Sequence, residues 1–306
     1  MGFLAYKMMI PRITGEKMIY VSSSCLPHKD ICESVISLAR AGFLHIELSG
    51  GGGVYNPDLL KHLLALKARY NLTFACHNYF PPPKEDFVIN LCSLDSTIFK
   101  RSLAQLKKSI LFSYHLGARH FGFHAGFFLP LSPKELGSTT TKRHRIYDKF
   151  KCIQRFIEGY HILDAYARKY GIQLYLENNV ISAELCAQYG NADLAMLLCY
   201  DDYLSLKEQI ECALLLDIGH LKVSSKTLGK DFTTESKQCF AIAQYIHISD
   251  NNGLRDENKP IATTSEFLPM LAATHNRNRI YTLEVYSGLE DVRASYEILQ
   301  GCIAIS

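Results

Sequence analysis

Short runs of apolar, β-branched and aromatic residues recur along the chain, each about one strand long. They read MIYVSSS at 18–24, FLHIELSG at 43–50, LTFACHN at 72–78, HFGFHAG at 120–126, QLYLEN at 173–178, CALLLDIGH at 212–220, QYIHISD at 244–250 and IYTLEVY at 280–286. Their length and residue types predict eight strands. Between them lie longer stretches of helical period, among them DICESVISLARAG, PDLLKHLLALKARY, FKRSLAQLKKSILFSYHLGA and KCIQRFIEGYHILDAYARKYG. Several end in Gly or Asn just before the next strand, as helix C-termini do.

Strict alternation of strand and helix demands crossovers of one hand and a parallel sheet. Eight such units in one chain predict an α/β fold, a single-domain (β/α)8 TIM barrel. A doubly wound open sheet is the competitor, but no G-x-G-x-x-G follows an early strand. No Pro/Gly/Ser-rich linker divides the chain, so the barrel is expected over residues 18–306, with 1–17 as an N-terminal extension. Two loops stand out: PPPKED after the third strand, and FFLPLSPKELGSTTTKRHRIYDK after the fourth, which is long enough to cover a barrel mouth. Its KRHR is read as a solvated charge run in preference to a substrate contact.

Composition narrows the classes. Hydrophobic residues make up 48% of the 306 and charged residues 21%, ordinary for a globular chain with a sizeable core. The formal charge of +3 lacks the strong basic bias of a nucleic-acid binder, while an anionic small substrate stays open. Ten cysteines occur without a C-x-x-C pair, which fits a reduced, cytoplasmic protein. The first residues lack a secretory signal pattern, and no apolar run is long enough to cross a bilayer.

In a barrel of this kind the site forms at the C-terminal ends of the strands. There the sequence places Glu47, His77, His124, Glu177, Asp217 with His220 just beyond, His247 with Asp250, and Glu284. No basic residue ends these strands, and clustered carboxylates cannot all ionise without a compensating cation. A divalent metal would supply it. Taken singly, His77 or His124 is ordinarily a core or loop histidine, and Glu47 is read as paired with a neighbour or as support behind the ligands. His45, His115, His120 and His161 are read as structural. Glu177, Asp217, His247 and Glu284 together point to a metal site, because four convergent placements are hard to obtain by chance.

LYLENN with Glu177, LLLDIGH with Asp217 and His220, YIHISDNNGLRDENKP with His247 and YTLEVY with Glu284 carry a resemblance. Over about residues 18–300 the chain resembles the xylose isomerase-like barrel superfamily, which includes sugar isomerases and epimerases and the apurinic-site endonucleases. The resemblance implies one divalent metal on Glu177, Asp217, His247 and Glu284, with manganese, magnesium or cobalt favoured and zinc admitted. Three carboxylates and one imidazole suit such a cation. It further implies an isomerase or epimerase of a small sugar or sugar derivative. Glu177 and Glu284 would exchange protons with carbon through an enediolate, and His220 would bond a substrate oxygen. Arg255 and Asp256 are the candidate substrate-binding residues.

His77 and His124 are candidates for a second metal or for substrate. The endonuclease branch assembles three zinc ions, and its third site needs a D-x-H pair where this chain has Asp256-Glu257-Asn258. Asparagine is a poor replacement for imidazole on zinc. Glu184 lies near, but out of register with, a glutamate that some ketose epimerases carry. A zinc-dependent endonuclease on abasic DNA and a sugar or polyol dehydratase are the alternatives. The expected partner is a small-molecule sugar, with a homo-oligomer left open and neither nucleic acid nor membrane expected.

Overall fold

The computed structural model describes residues 18–50, 53–276 and 278–304, so the extension expected at 1–17 lies outside the described residues. Eight strands close in sequence order into one parallel barrel: β1 (Ile19–Ser22), β2 (His45–Ser49), β3 (Thr73–His77), β4 (His120–His124), β5 (Gln173–Glu177), β6 (Ala213–Asp217), β7 (Tyr245–Ile248) and β8 (Ile280–Leu283). Each falls inside one of the eight runs. The α/β single-domain TIM barrel is therefore the fold.

The helices are α1 (Ile31–Arg40), α2 (Leu59–Tyr70), α3 (Ser96–Leu116), α4 (Lys149–Lys169), α5 (Ala183–Tyr189), α6 (Tyr200–Lys207), α7 (Ile218–Thr227), α8 (Phe232–Ile242), α9 (Leu268–Thr274) and α10 (Leu289–Ala304). Asp30, Asp95, Asp148, Ser182 and Asp231 each accept a backbone N–H at a helix start, satisfying donors that would otherwise be orphaned. Asn71, Gly117 and Gly190 end α2, α3 and α5 in the left-handed region. Among the described residues no helix is long and apolar enough to cross a membrane. None of the ten cysteines, all among the described residues, forms a disulfide.

Side chains alternate along each strand, and the alternation divides the core in two. Ile46, Leu48, Phe121, Phe123, Leu214, Leu216, Ile246 and Ile248 join the large cluster between strands and helices. Tyr20, Ala75, Tyr175, Leu215, Tyr245 and Ile280 form a separate cluster that fills the barrel interior. Gly122 on β4 makes room for it, since a Cβ there would sit 2.4 Å from Leu215 Cδ1. This packed plug is the floor on which the ionisable residues stand.

Candidate functional site

Period-two alternation carries the polar set inward above that plug. Glu47, Glu177, Asp217, His247 and Glu284 are all buried, and His77 with them. His77 Nε2 lies 2.6 Å from Glu177 Oε2, and His124 Nε2 lies 3.3 Å from the same oxygen. His247 Nδ1 lies 3.3 Å from Glu177 Oε1 and 3.5 Å from Glu284 Oε2. Its Nε2 faces Glu47 Oε1 at 3.1 Å. Glu47 also accepts hydrogen bonds from Tyr245 and, at 2.9 Å, from Thr282.

Two depths differ from a simple ring of strand ends. Glu47 lies mid-strand, two residues below the end of β2, and His247 likewise precedes the end of β7. Glu47 therefore sits beneath the mouth, where it holds the far nitrogen of His247 and leaves Nδ1 turned toward Glu177 and Glu284. Asp250 departs in the other direction. It pairs with Lys222 at 2.8 Å and accepts from Ser265 at 2.6 Å, which removes it from the cluster.

Asp217 plays two parts at once. As the N-cap of α7 its Oδ1 accepts the His220 N–H at 2.8 Å, so the D-x-x-H spacing is a helix cap as well as a pair of side chains. Asn178 clamps it, accepting from the Asp217 N–H at 2.7 Å and donating to its carbonyl at 3.0 Å. Gly219 keeps the turn close, because a Cβ there would meet Ser249 Oγ at 2.8 Å. The sequence pattern alone assigns no role to the two asparagines after Glu177, although two amides placed directly behind a buried carboxylate are the signal of such a clamp. Asn179 joins the two neighbouring loops through Ala125 and Met196 carbonyls.

The cluster's electrostatics come from burial set against mutual attraction. Burial raises the Glu177 carboxyl, but His124, His77 and His247 outweigh it and hold the group well below its ordinary value. Burial and the nearby Asp256 and Glu177 push Asp217 up to about 7, against the pull of His220 and His247. Burial alone would lower His247, yet Glu47, Glu284 and Glu177 raise it well above its ordinary value. His124, where desolvation wins, falls to about 4. Among the described residues no lysine or arginine comes within ion-pair distance of Glu47, Glu177, Asp217 or Glu284; their partners are imidazoles.

A proton on an imidazole can thus do part of what an ion would do, and the donor set fits either. Three groups bring ligand atoms within 4.8 Å of one another: Glu177, Asp217 and His247; Glu47, His77, His247 and Glu284; and His77, His124 and Glu177. The first holds three of the four expected ligands, while Glu284 joins through His247. Donors sharing one ion at about 2.1 Å stand about 3–3.5 Å apart, as His247 Nδ1 does from both glutamates, whereas the 2.6 Å His77–Glu177 contact is a hydrogen bond. His247 Nδ1, His77 Nδ1 and His124 Nδ1 are buried without a hydrogen-bond partner of good geometry. Such atoms suit a metal centre.

Above the cluster opens a cavity of about 980 Å3, lined at its floor by His77, His124, Glu177, His220 and Glu284. His220 donates from Nδ1 to the Asn178 carbonyl at 2.9 Å and faces Asp256 Oδ2 with Nε2 at 3.2 Å. Asn258 Nδ2 donates to the same Asp256 oxygen at 3.4 Å. Arg255 reaches only the rim, where it meets Glu184 at 3.4 Å and stays 60% exposed. The long loop after β4 does cover the mouth: residues 135–139 and Thr141 line the cavity, while Lys142, Arg143 and Arg145 are exposed outside it. His45 and His120 begin their strands at the opposite end, and His115 and His161 lie on helices.

This closed parallel barrel, with its acidic and imidazole groups gathered at the C-terminal mouth, defines a class of protein. The chain belongs to the xylose isomerase-like TIM barrel family, whose family model matches residues 36–297. Among solved structures it is similar to a D-tagatose 3-epimerase-like protein (19% identity, TM-score 0.71, covering 95% of this chain and 98% of that one). It is also similar to D-psicose 3-epimerase with D-tagatose from Clostridium cellulolyticum H10 (12%, TM-score 0.63, 94% and 99%). A third is AP endonuclease, family 2, from Brucella melitensis (12%, TM-score 0.62, 92% and 98%). At these identities the likeness is one of fold. No curated protein sequence matches the chain.

Proposed function

We propose that the protein is a divalent-metal-dependent isomerase or epimerase of a sugar or sugar derivative. The observation that carries this reading is the convergence of Glu177, Asp217 and His247 with Glu284, buried and without lysine or arginine, with Glu177 and Glu284 also lining one large cavity. Glu177, Asp217, His247 and Glu284 would hold the ion, which when bound would polarise a carbonyl and stabilise negative charge developing on its oxygen.

This chain's own groups do the rest. Glu177 ends β5 and Glu284 directly follows β8, three strands away around the closed ring, and both line the cavity. On this reading they would approach a bound substrate from different sides, the arrangement needed to take a proton from carbon and return it to another face or position through an enediolate. Burial alone would raise Glu284, but His247 holds it below the ordinary carboxylate range, as Glu177 is also held, so both start ionised and able to accept. His220 carries a proton on Nδ1 toward Asn178 and presents Nε2 to the cavity beside Asp256, where it can bond a substrate oxygen. A sugar as substrate is supported by the epimerase relatives of the same fold and by this polar floor.

The test joins elemental analysis to two substitutions. Purified protein should carry one manganese-like ion per chain, and Glu177→Gln or Glu284→Gln should abolish turnover with the melting profile of a folded protein. Near-normal turnover in either variant removes its proton-transfer role. Two or three zinc ions per chain would favour the endonuclease alternative, drawing on the His77, His124 and Glu177 group.

A further inference from the structure

We propose that the substrate is a sugar joined to a bulky apolar group, a glycoside with an aryl or alkyl aglycone, in preference to a free or phosphorylated monosaccharide; this rests on the isomerase or epimerase reading above. The cavity of about 980 Å3 lies at the top of the roughly 300–1,000 Å3 range of pockets that hold drug-sized ligands. A single sugar ring fills a small part of it.

The two ends of the cavity differ in chemistry. The floor is imidazole and carboxylate. The outer wall carries an apolar patch of Phe127, Leu129, Leu131, Leu136, Ile181 and Leu194, with Ser138, Thr139 and Thr141 of the same loop beside it. Leu129, Ile181 and Leu194 belong to one buried cluster against which Phe127 and Leu131 pack half-buried, and Leu136 remains 37% exposed. Leu129, Ile181 and Leu194 back the wall, and the apolar area still open is that of Phe127, Leu131 and Leu136, which a free sugar seated on the floor would leave wet and an aglycone would cover. The wall continues directly into the reactive floor, so a single ligand can span both.

The wall is also held in shape. Glu135 staples the loop that carries Leu131 and Leu136, accepting from Ser132 N and Oγ at 2.9 and 2.6 Å, from Lys142 N at 2.9 Å and from His144 Nε2 at 2.8 Å. From α5, Gln188 accepts the Thr141 N–H at 3.0 Å and Tyr189 accepts that of His144 at 3.0 Å. A loop so anchored is a built surface, and preorganisation of this kind lowers the cost of binding.

A phosphate would instead be favoured by convergent cationic donors. Among the described residues only Lys29 and Arg255 bring a lysine or arginine to the cavity; both are exposed at the rim, and Arg255 already meets Glu184.

The test uses manganese-loaded full-length protein and calorimetric titration with a panel of 4-nitrophenyl glycosides, the matching free sugars and their 6-phosphates. At least one glycoside should bind about tenfold or more tightly than its free sugar. Leu131→Asn and Leu136→Asn, each checked for an unchanged melt, should erase that advantage and leave free-sugar affinity alone. The proposal is overturned if no pair shows the advantage, if a phosphate binds more tightly than the glycoside, or if the advantage survives both substitutions. Failure to bind manganese at all would instead count against the metal-enzyme reading, while manganese-loaded protein that favours free sugars sinks this proposal alone.

Discussion

At Glu47 the barrel sets a wholly buried carboxylate against His247 Nε2, with Tyr245 and Thr282 hydroxyls donating to it. The arrangement fixes which imidazole nitrogen faces the other carboxylates. Glu47→Gln should therefore weaken manganese binding about 10–100-fold, the usual cost of losing a carboxylate behind a ligating histidine, as read by calorimetry. Unchanged affinity would show that Glu47 only fills space. Asp217 gives a pH dependence whose sign is fixed. Its folded value of about 7 lies above the ordinary 3.8, so in ion-free protein its contribution to stability is present at acid pH and lost as pH rises through 7. A metal needs the ionised carboxylate and an unprotonated His247 nitrogen. The melting-temperature gain from manganese should grow between pH 5.5 and 8, and a gain that shrinks over that window contradicts the assignment.

Elements show why the strands could be read and part of the site could not. The eight apolar runs bracket β1 to β8 because period-two burial is local and each run is bounded by helix-length segments. Asp217, His220 and Glu284 were legible for the same reason, lying at or just past strand ends. Glu47 was harder. The pattern HIELS signals an inward carboxylate, but its partners Tyr245 and Thr282 lie 198 and 235 positions away and meet it only on closure. The loop after β4 announced its length, while the staple from Glu135 to His144 and the bonds to Gln188 depended on tertiary packing. Two element-scale outcomes follow from these contacts. Asp217→Asn keeps a residue able to cap α7 and removes a desolvated charge, so ion-free protein at pH 8 should melt no lower than wild type while manganese affinity falls. Gly122→Ala drives a methyl into Leu215 inside the barrel and should cost about 1–3 kcal/mol in chemical denaturation.

Across the whole molecule, the ring of strands lets residues far apart in sequence share one floor, and the family match over residues 36–297 fits that architecture. Chemistry within the family cannot be taken from the fold, since sugar epimerases and an endonuclease have similar barrels. The distinction has to come from this chain's own groups, such as the Asp256 carboxylate that His220 and Asn258 share above the cluster. The most direct measurement is anomalous diffraction from a crystal of the protein soaked in manganese. The account predicts one strong peak about 2.0–2.3 Å from oxygens of Glu177, Asp217 and Glu284 and from His247 Nδ1. A map with no peak among those four side chains, or with its main peak between His77 and His124, would contradict it.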